Sequence, residues 1–205
     1  LQAKYIGEAR IEAMGDVMVA NEIAHADIKT RGRVRVPRGR IAGGATVARR
    51  GIRLQQAGAS GASETLLVAG VDFTLPRQTA EHEQKLARLE EAREKITSAL
   101  AQATKTNAGA GSDRAALTAK LQQNAREIDR AIAAVHATIR QITDAALAGA
   151  VQEIVVYEEL WSGTTLQLGD YRTTVRTNVL KPRLVRRSRS RVKILPLGEG
   201  NMPQD

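Results

Sequence analysis

Apolar positions in the first quarter of the chain recur at two nested periods. Ile6, Ile23 and Ile41 lie 17 and 18 residues apart, as do Val17, Val34 and Ile52, and again Val19, Val36 and Leu54. Ile11 and Ile28 repeat at 17, with Val47 expected to follow after a small insertion. Inside each unit apolar and polar residues alternate, as in Val34-Arg35-Val36, the period of a strand with one buried face. Each unit reads as three short β segments: one near Ile6, one near Ile11, and a third at Val17 and Val19. Strands this short cannot bury a face alone. Stacked as rungs about 4.8 Å apart they build a continuous aliphatic core, which predicts a parallel β-solenoid. Gly15, Gly32 and Gly51 stand just before the third segment, where a corner calls for a permissive backbone.

After Pro76 the period changes. Leu86, Leu89, Arg93, Ile96, Leu100 and Ala103 are spaced 3, 4, 3, 4 and 3, the alternation of a coiled-coil seam. Asn107 to Gly111 breaks this helix, and Ser112 and Asp113 offer a cap for a return helix. The return carries Leu117, Leu121, Asn124, Ile128, Ile132, Val135, Ile139, Ile142 and Ala146, with one stutter at Ile128–Ile132. A short break makes the helices antiparallel, setting Leu100 against Leu117, Ile96 near Leu121, Leu89 near Ile128 and Leu86 near Ile132. A helix of ~30–35 residues extends roughly 45–50 Å. From Val151 the strand period returns at Ile154, Val156, Leu166 and Leu168. The expected organisation is mainly β with an α insertion. Residues 1–75 and 150–195 form the solenoid, 76–149 the inserted hairpin, and 196–205 a disordered tail.

Charge adds a second theme. Residues 29–53 hold nine Lys or Arg and no acid, and 181–193 hold seven and no acid, whereas 77–148 sets eleven bases against nine acids. Attraction to a polyanion or anionic surface therefore belongs to the β segments. Alternation around Val34, Val36, Ile52 and Leu54 turns Arg33, Arg35 and Arg53 outward, with Arg35 above Arg53. A second basic strand is expected at Arg187, Arg189, Arg191 and Lys193. Only five residues are aromatic, so the core must be Ile, Val, Leu and Ala. The absence of cysteine excludes disulfides and thiolate chemistry and fits a reducing compartment. No apolar run approaches the ~20 residues of a membrane span. The pattern is already running at Leu1, which is expected of a fragment.

Chemistry is sparse. Gly43-Gly44 lacks the Lys-Ser/Thr of a phosphate loop, and His25, His82 and His136 share no metal-ligand spacing. Neither a catalytic residue, a metal site nor a cofactor is expected. One enzymatic alternative stays open. The apolar spacings hover around six, and Ile23-Ala24 and Ile41-Ala42 resemble the hexapeptide repeat of acyltransferases, with His25 as general base.

Several segments in order resemble the bacterial flagellar assembly protein A family. They are Ala13 to Val19, Ile41-Ala-Gly-Gly-Ala45 leading to Val47-Ala48, Gly58 to Thr65, Leu67 to Val71, and Leu160-Trp-Ser-Gly-Thr-Thr-Leu-Gln-Leu-Gly169. The resemblance spans roughly 1–195 and implies a right-handed β-helix with a coiled-coil arm, a cytoplasmic location and a part in flagellar assembly or placement. It implies protein partners from that machinery and leaves homo-oligomerisation open. It carries over no catalytic residue. The expected function is a non-enzymatic scaffold; the alternative is polyanion binding through the Arg-rich faces.

Overall fold

The computed structural model describes residues 1–61, 64–105, 112–180, 183–188 and 191–196. Alternating burial builds a first parallel ladder from β1 (Gln2–Gly7), β3 (Val17–Ala24), β5 (Val34–Ala42), β7 (Ile52–Ala57) and β9 (Glu153–Leu160). A second ladder stacks β2 (Arg10–Ala13), β4 (Asp27–Thr30), β6 (Gly44–Ala48), β8 (Thr65–Ala69) and β10 (Thr165–Leu168). The chain thus winds a β-solenoid of about four turns. Its core is columns of like residues. Ile6, Ile23, Ile41, Ala57 and Leu160 are successive register partners, as are Val34, Ile52, Ile154 and Val185.

Two strand expectations need correction. Each rung has two strands where three segments were expected, because the Val17-Val19 segment runs on into Ile23 as one strand. The register shifts between Met18 and Glu22, and at equivalent places in the neighbouring rungs. Such an irregularity bends a strand without ending its pairing, so the corner is made inside the strand. Val47 is not the partner of Ile28. Thr46 takes that place, between Ile28 and Leu67, and Val47 pairs with Lys29. The register is set by Ala48 opposite Thr30, and a period of two then turns Thr46 inward.

The corner glycines divide by cause. Gly51 has φ +91°, the left-handed region that glycine tolerates. Gly32 has no such φ; a Cβ there would run into the backbone of Gly15 and Asp16 on the preceding rung. Around Gly15 there is open space.

Two long helices, α1 (Leu75–Lys105) and α2 (Ser112–Leu147), lie between β8 and β9. The chain divides into two compact units, Leu1–Phe73 with Ala146–Asp205, and Thr74–Ala145. In the helical unit Leu86, Leu89, Ile96, Leu100 and Ala103 on α1 are half-buried, as are Leu121, Ile128, Ile132, Ile139 and Ile142 on α2, and Val135 is buried. Arg93 is exposed and pairs with Asp129 at 2.8 Å across the helices. Ala125 rather than Asn124 is half-buried, and Leu117 is 54% exposed. The expected break at 107–111 lies outside the described residues.

After β10 the winding stops. Gly169-Asp170 is a two-residue connection into β11 (Tyr171–Thr174), which pairs antiparallel with β10. Two residues suffice for a hairpin and are far too few for a parallel crossover. β12 (Val179–Leu180) and β13 (Arg183–Ser188) then pair antiparallel with β9, and β14 (Arg191–Pro196) antiparallel with β13. The continuous solenoid expected over 150–195 is one parallel rung followed by an antiparallel cap. The tail expected over 196–205 starts one residue too early, since Pro196 ends β14; residues 197–205 lie outside the described residues.

Candidate functional site

The inward columns fix what the outer face displays. With Val34, Val36, Ile52 and Leu54 all buried, the residues between them must face outward. Arg35 on β5 is the register partner of Arg53 on β7, so the two stand about one strand spacing, ~4.8 Å, apart. Met18 precedes Arg35 in this column and Val155 follows Arg53. Arg33 leads into β5. Its backbone N–H donates to Asp16 Oδ1 at 2.8 Å and its Nε to the Arg50 carbonyl at 3.3 Å. All three arginines are half-buried. Arg35 Nε is sealed from solvent without a hydrogen-bond partner among the described residues. Burial holds the Arg33 guanidinium below its ordinary value; the charges of Arg53 and then Arg35 push the same way, against Asp16.

Beyond the bend in the same strands the outward residues are internally paired. Arg40 and Glu22 are register partners and ion-paired at 2.5 Å, and Gln56 Nε2 donates to Glu158 Oε2 at 2.9 Å. With Asn21, Arg38 and Gln55 they line a shallow polar groove of about 280 Å³.

The second basic run is divided where a single strand was expected. Arg187 lies on β13 opposite Val192, and Arg191 on β14 opposite Ser188. Lys193 is half-buried opposite Arg186. Arg189 and the side chains of Arg187 and Arg191 lie outside the described residues, so the structure groups none of these with Arg33, Arg35 and Arg53.

Sequence reasoning missed one charged cluster. The Asp72 side chain is 1% exposed and accepts Arg31 Nε at 2.9 Å, with Arg49 Nε at 3.6 Å. Arg49 Nε also donates to the Ala146 carbonyl at 2.7 Å, and its terminal nitrogen to that of Ala148. Arg31 follows β4 and Arg49 follows β6, so two successive rungs hold the points where the chain leaves and re-enters the β unit. A signal existed: the bases of 29–53 have no acid of their own, and Asp72 is one of two acids in residues 54–80.

His25 turns the corner between β3 and β4 at φ +51°, its backbone N–H donating to the Ala42 carbonyl. It packs against Gly43, where a Cβ would lie 2.6 Å from Nδ1. Among the described residues no three of His, Cys, Asp or Glu gather in a metal-binding group. No described helix is long and apolar enough to cross a membrane.

A family model for the flagellar assembly protein A beta solenoid domain matches residues 1–191. No curated protein and no solved structure matches the chain.

Proposed function

The chain belongs to the flagellar assembly protein A β-solenoid family, and on that premise we propose that it is a non-enzymatic scaffold of flagellar assembly. The solenoid is its rigid body, and the helices form an antiparallel coiled-coil arm that binds a protein partner. The supporting observation is the place of the insertion. β7 and β9 are register partners, Ile52 with Ile154, although α1 and α2 lie between them in sequence. β8 and β10 pair likewise, Leu67 with Leu166. A segment that adds no rung and leaves the stacking uninterrupted serves something other than the β core. Leucine and isoleucine half-buried at coiled-coil spacing, with Arg93–Asp129 beside them, support the seam.

The test replaces residues 74–145 with a short Gly-Ser linker in the protein of a flagellated host. Circular dichroism of the shortened chain should retain strand signal and lose the helical minima. Cells carrying it should assemble markedly fewer filaments than wild type. Wild-type filament numbers with a folded shortened protein would sink the arm's role.

A further inference from the structure

We propose that Arg33, Arg35 and Arg53 form a binding site for a phosphate-type oxyanion on the outer face of the first sheet. This stands apart from the scaffold reading, since none of the three lies in the helical insertion. Stacking Arg35 directly over Arg53 sets like charges opposite each other, an arrangement that disfavours sheet pairing. Elsewhere in the β unit Arg10, Arg31, Arg40, Arg49 and Arg172 each have a carboxylate within 4 Å. Arg33, Arg35 and Arg53 have no such ion pair among the described residues. The cluster is more than a solvated fringe: its members are half-buried, and Arg35 Nε is closed off from water with nothing to donate to. A desolvated donor without an acceptor is costly, and an anion supplied from outside would relieve it.

The chemistry favours a tetrahedral dianion. One carboxylate offers two oxygens, fewer than three guanidinium forks at two adjacent rungs can use. A phosphate group offers three or four, and guanidinium binds it in bidentate fashion. Met18 and Val155 border the pair with apolar side chains, which lowers the local dielectric and strengthens the attraction. Burial first, and then the charges of Arg53 and Arg35, lower the proton affinity of Arg33, in keeping with the register that stacks Arg35 on Arg53 beside it.

The experiment compares the chain with Arg35→Gln/Arg53→Gln and with Arg172→Gln, a charge-loss control on β11. Thermal midpoints are read in sodium phosphate and in sodium chloride at equal ionic strength and neutral pH. Phosphate should raise the wild-type midpoint by about 3 °C more than chloride does, as a ligand held at several times its Kd would. Arg172→Gln should keep that difference and the double variant should lose most of it. General salting by phosphate acts on all three proteins alike and so does not mimic this pattern. Independently, wild-type protein should broaden the phosphorus resonance of inorganic phosphate. If circular dichroism finds the double variant unfolded, Arg33→Gln takes its place. Co-sedimentation with vesicles of equal phosphatidylcholine and phosphatidic acid, whose phosphomonoester presents three free oxygens, identifies the source. Retention that the variant loses assigns the phosphate to a lipid headgroup, whereas a phosphate response without retention assigns a soluble one. The same phosphate response in wild type and variant, or no effect on the phosphorus resonance, overturns the site.

Discussion

Thr30 and Thr46 are both wholly buried in the second sheet, and their hydroxyls have different fates. Thr30 Oγ1 donates to the Gly15 carbonyl at 2.6 Å and accepts from the Gly32 N–H at 3.0 Å, so it joins a corner of one rung to its neighbour. Thr46 Oγ1 has no partner among the described residues and sits in a column between Ile28 and Leu67. Burying an unpaired hydroxyl costs about 1–3 kcal/mol, and valine has nearly the same shape. Thr46→Val should therefore stabilise the protein by about 1 kcal/mol, read as a higher urea midpoint at unchanged slope. Thr30→Val should destabilise it, since the Gly15 carbonyl and Gly32 N–H would lose their partner. A lower midpoint for Thr46→Val would mean that its hydroxyl is satisfied after all.

At the scale of the element, half-burial follows the 3,4 spacing along most of both helices; on α1 it passes from Arg93 to Ala92, and on α2 it departs at two places. Leu117 is exposed, and Ala125 rather than Asn124 is half-buried. Asn124 was singled out by counting, yet a small apolar residue one step along costs nothing to cover, whereas a buried amide needs partners. Leu89→Ala should cost about 1–2 kcal/mol and speed hydrogen exchange within Thr74–Ala145. Leu117→Ala should stay within about 0.5 kcal/mol. Equal losses from the two would remove the seam as the basis of helix pairing. The strands carry the complementary lesson. Nothing in the spacing of Val17, Val19 and Ile23 tells whether a corner ends the strand or bends it. Gly39 marks the answer, because a Cβ there would run into the Asn21 carbonyl on the neighbouring strand.

For the whole molecule, the two ends of the parallel stack differ. On sheet order β1 and β2 have a neighbour on one side only among the described residues, while the far end is covered by β11, β12, β13 and β14. Rungs interact with nearest neighbours, so in this chain by itself stability falls toward the end where a strand has a neighbour on one side only. Amides of β5, β6 and β7 should exchange slowest and those of β1 and β2 fastest. Protection of β1 equal to that of β5 would indicate that the outer edge is covered, by a second copy or by further chain.

What the sequence determined by itself was the repeat. A column of Ile6, Ile23 and Ile41 at 17 and 18 residues leaves little choice but stacked rungs, because no single strand of that length can bury its own face. The change of period at Pro76 marked the helices for the same reason, since a 3,4 spacing and an alternating one put apolar groups on different surfaces. The outward stacking of Arg35 on Arg53 was legible too, as it follows from the inward neighbours. Only the tertiary structure decided the rest. Register settled Thr46 against Val47, because one residue of slip exchanges the two faces and both choices look plausible in isolation. The turn from parallel winding to antiparallel cap hung on a two-residue connection at Gly169-Asp170, a local signal read only once its strands were paired. Asp72 was marked in the sequence only as a scarce acid after a basic run; that Arg31 and Arg49 are its partners came from long-range proximity, which no spacing along the chain encodes.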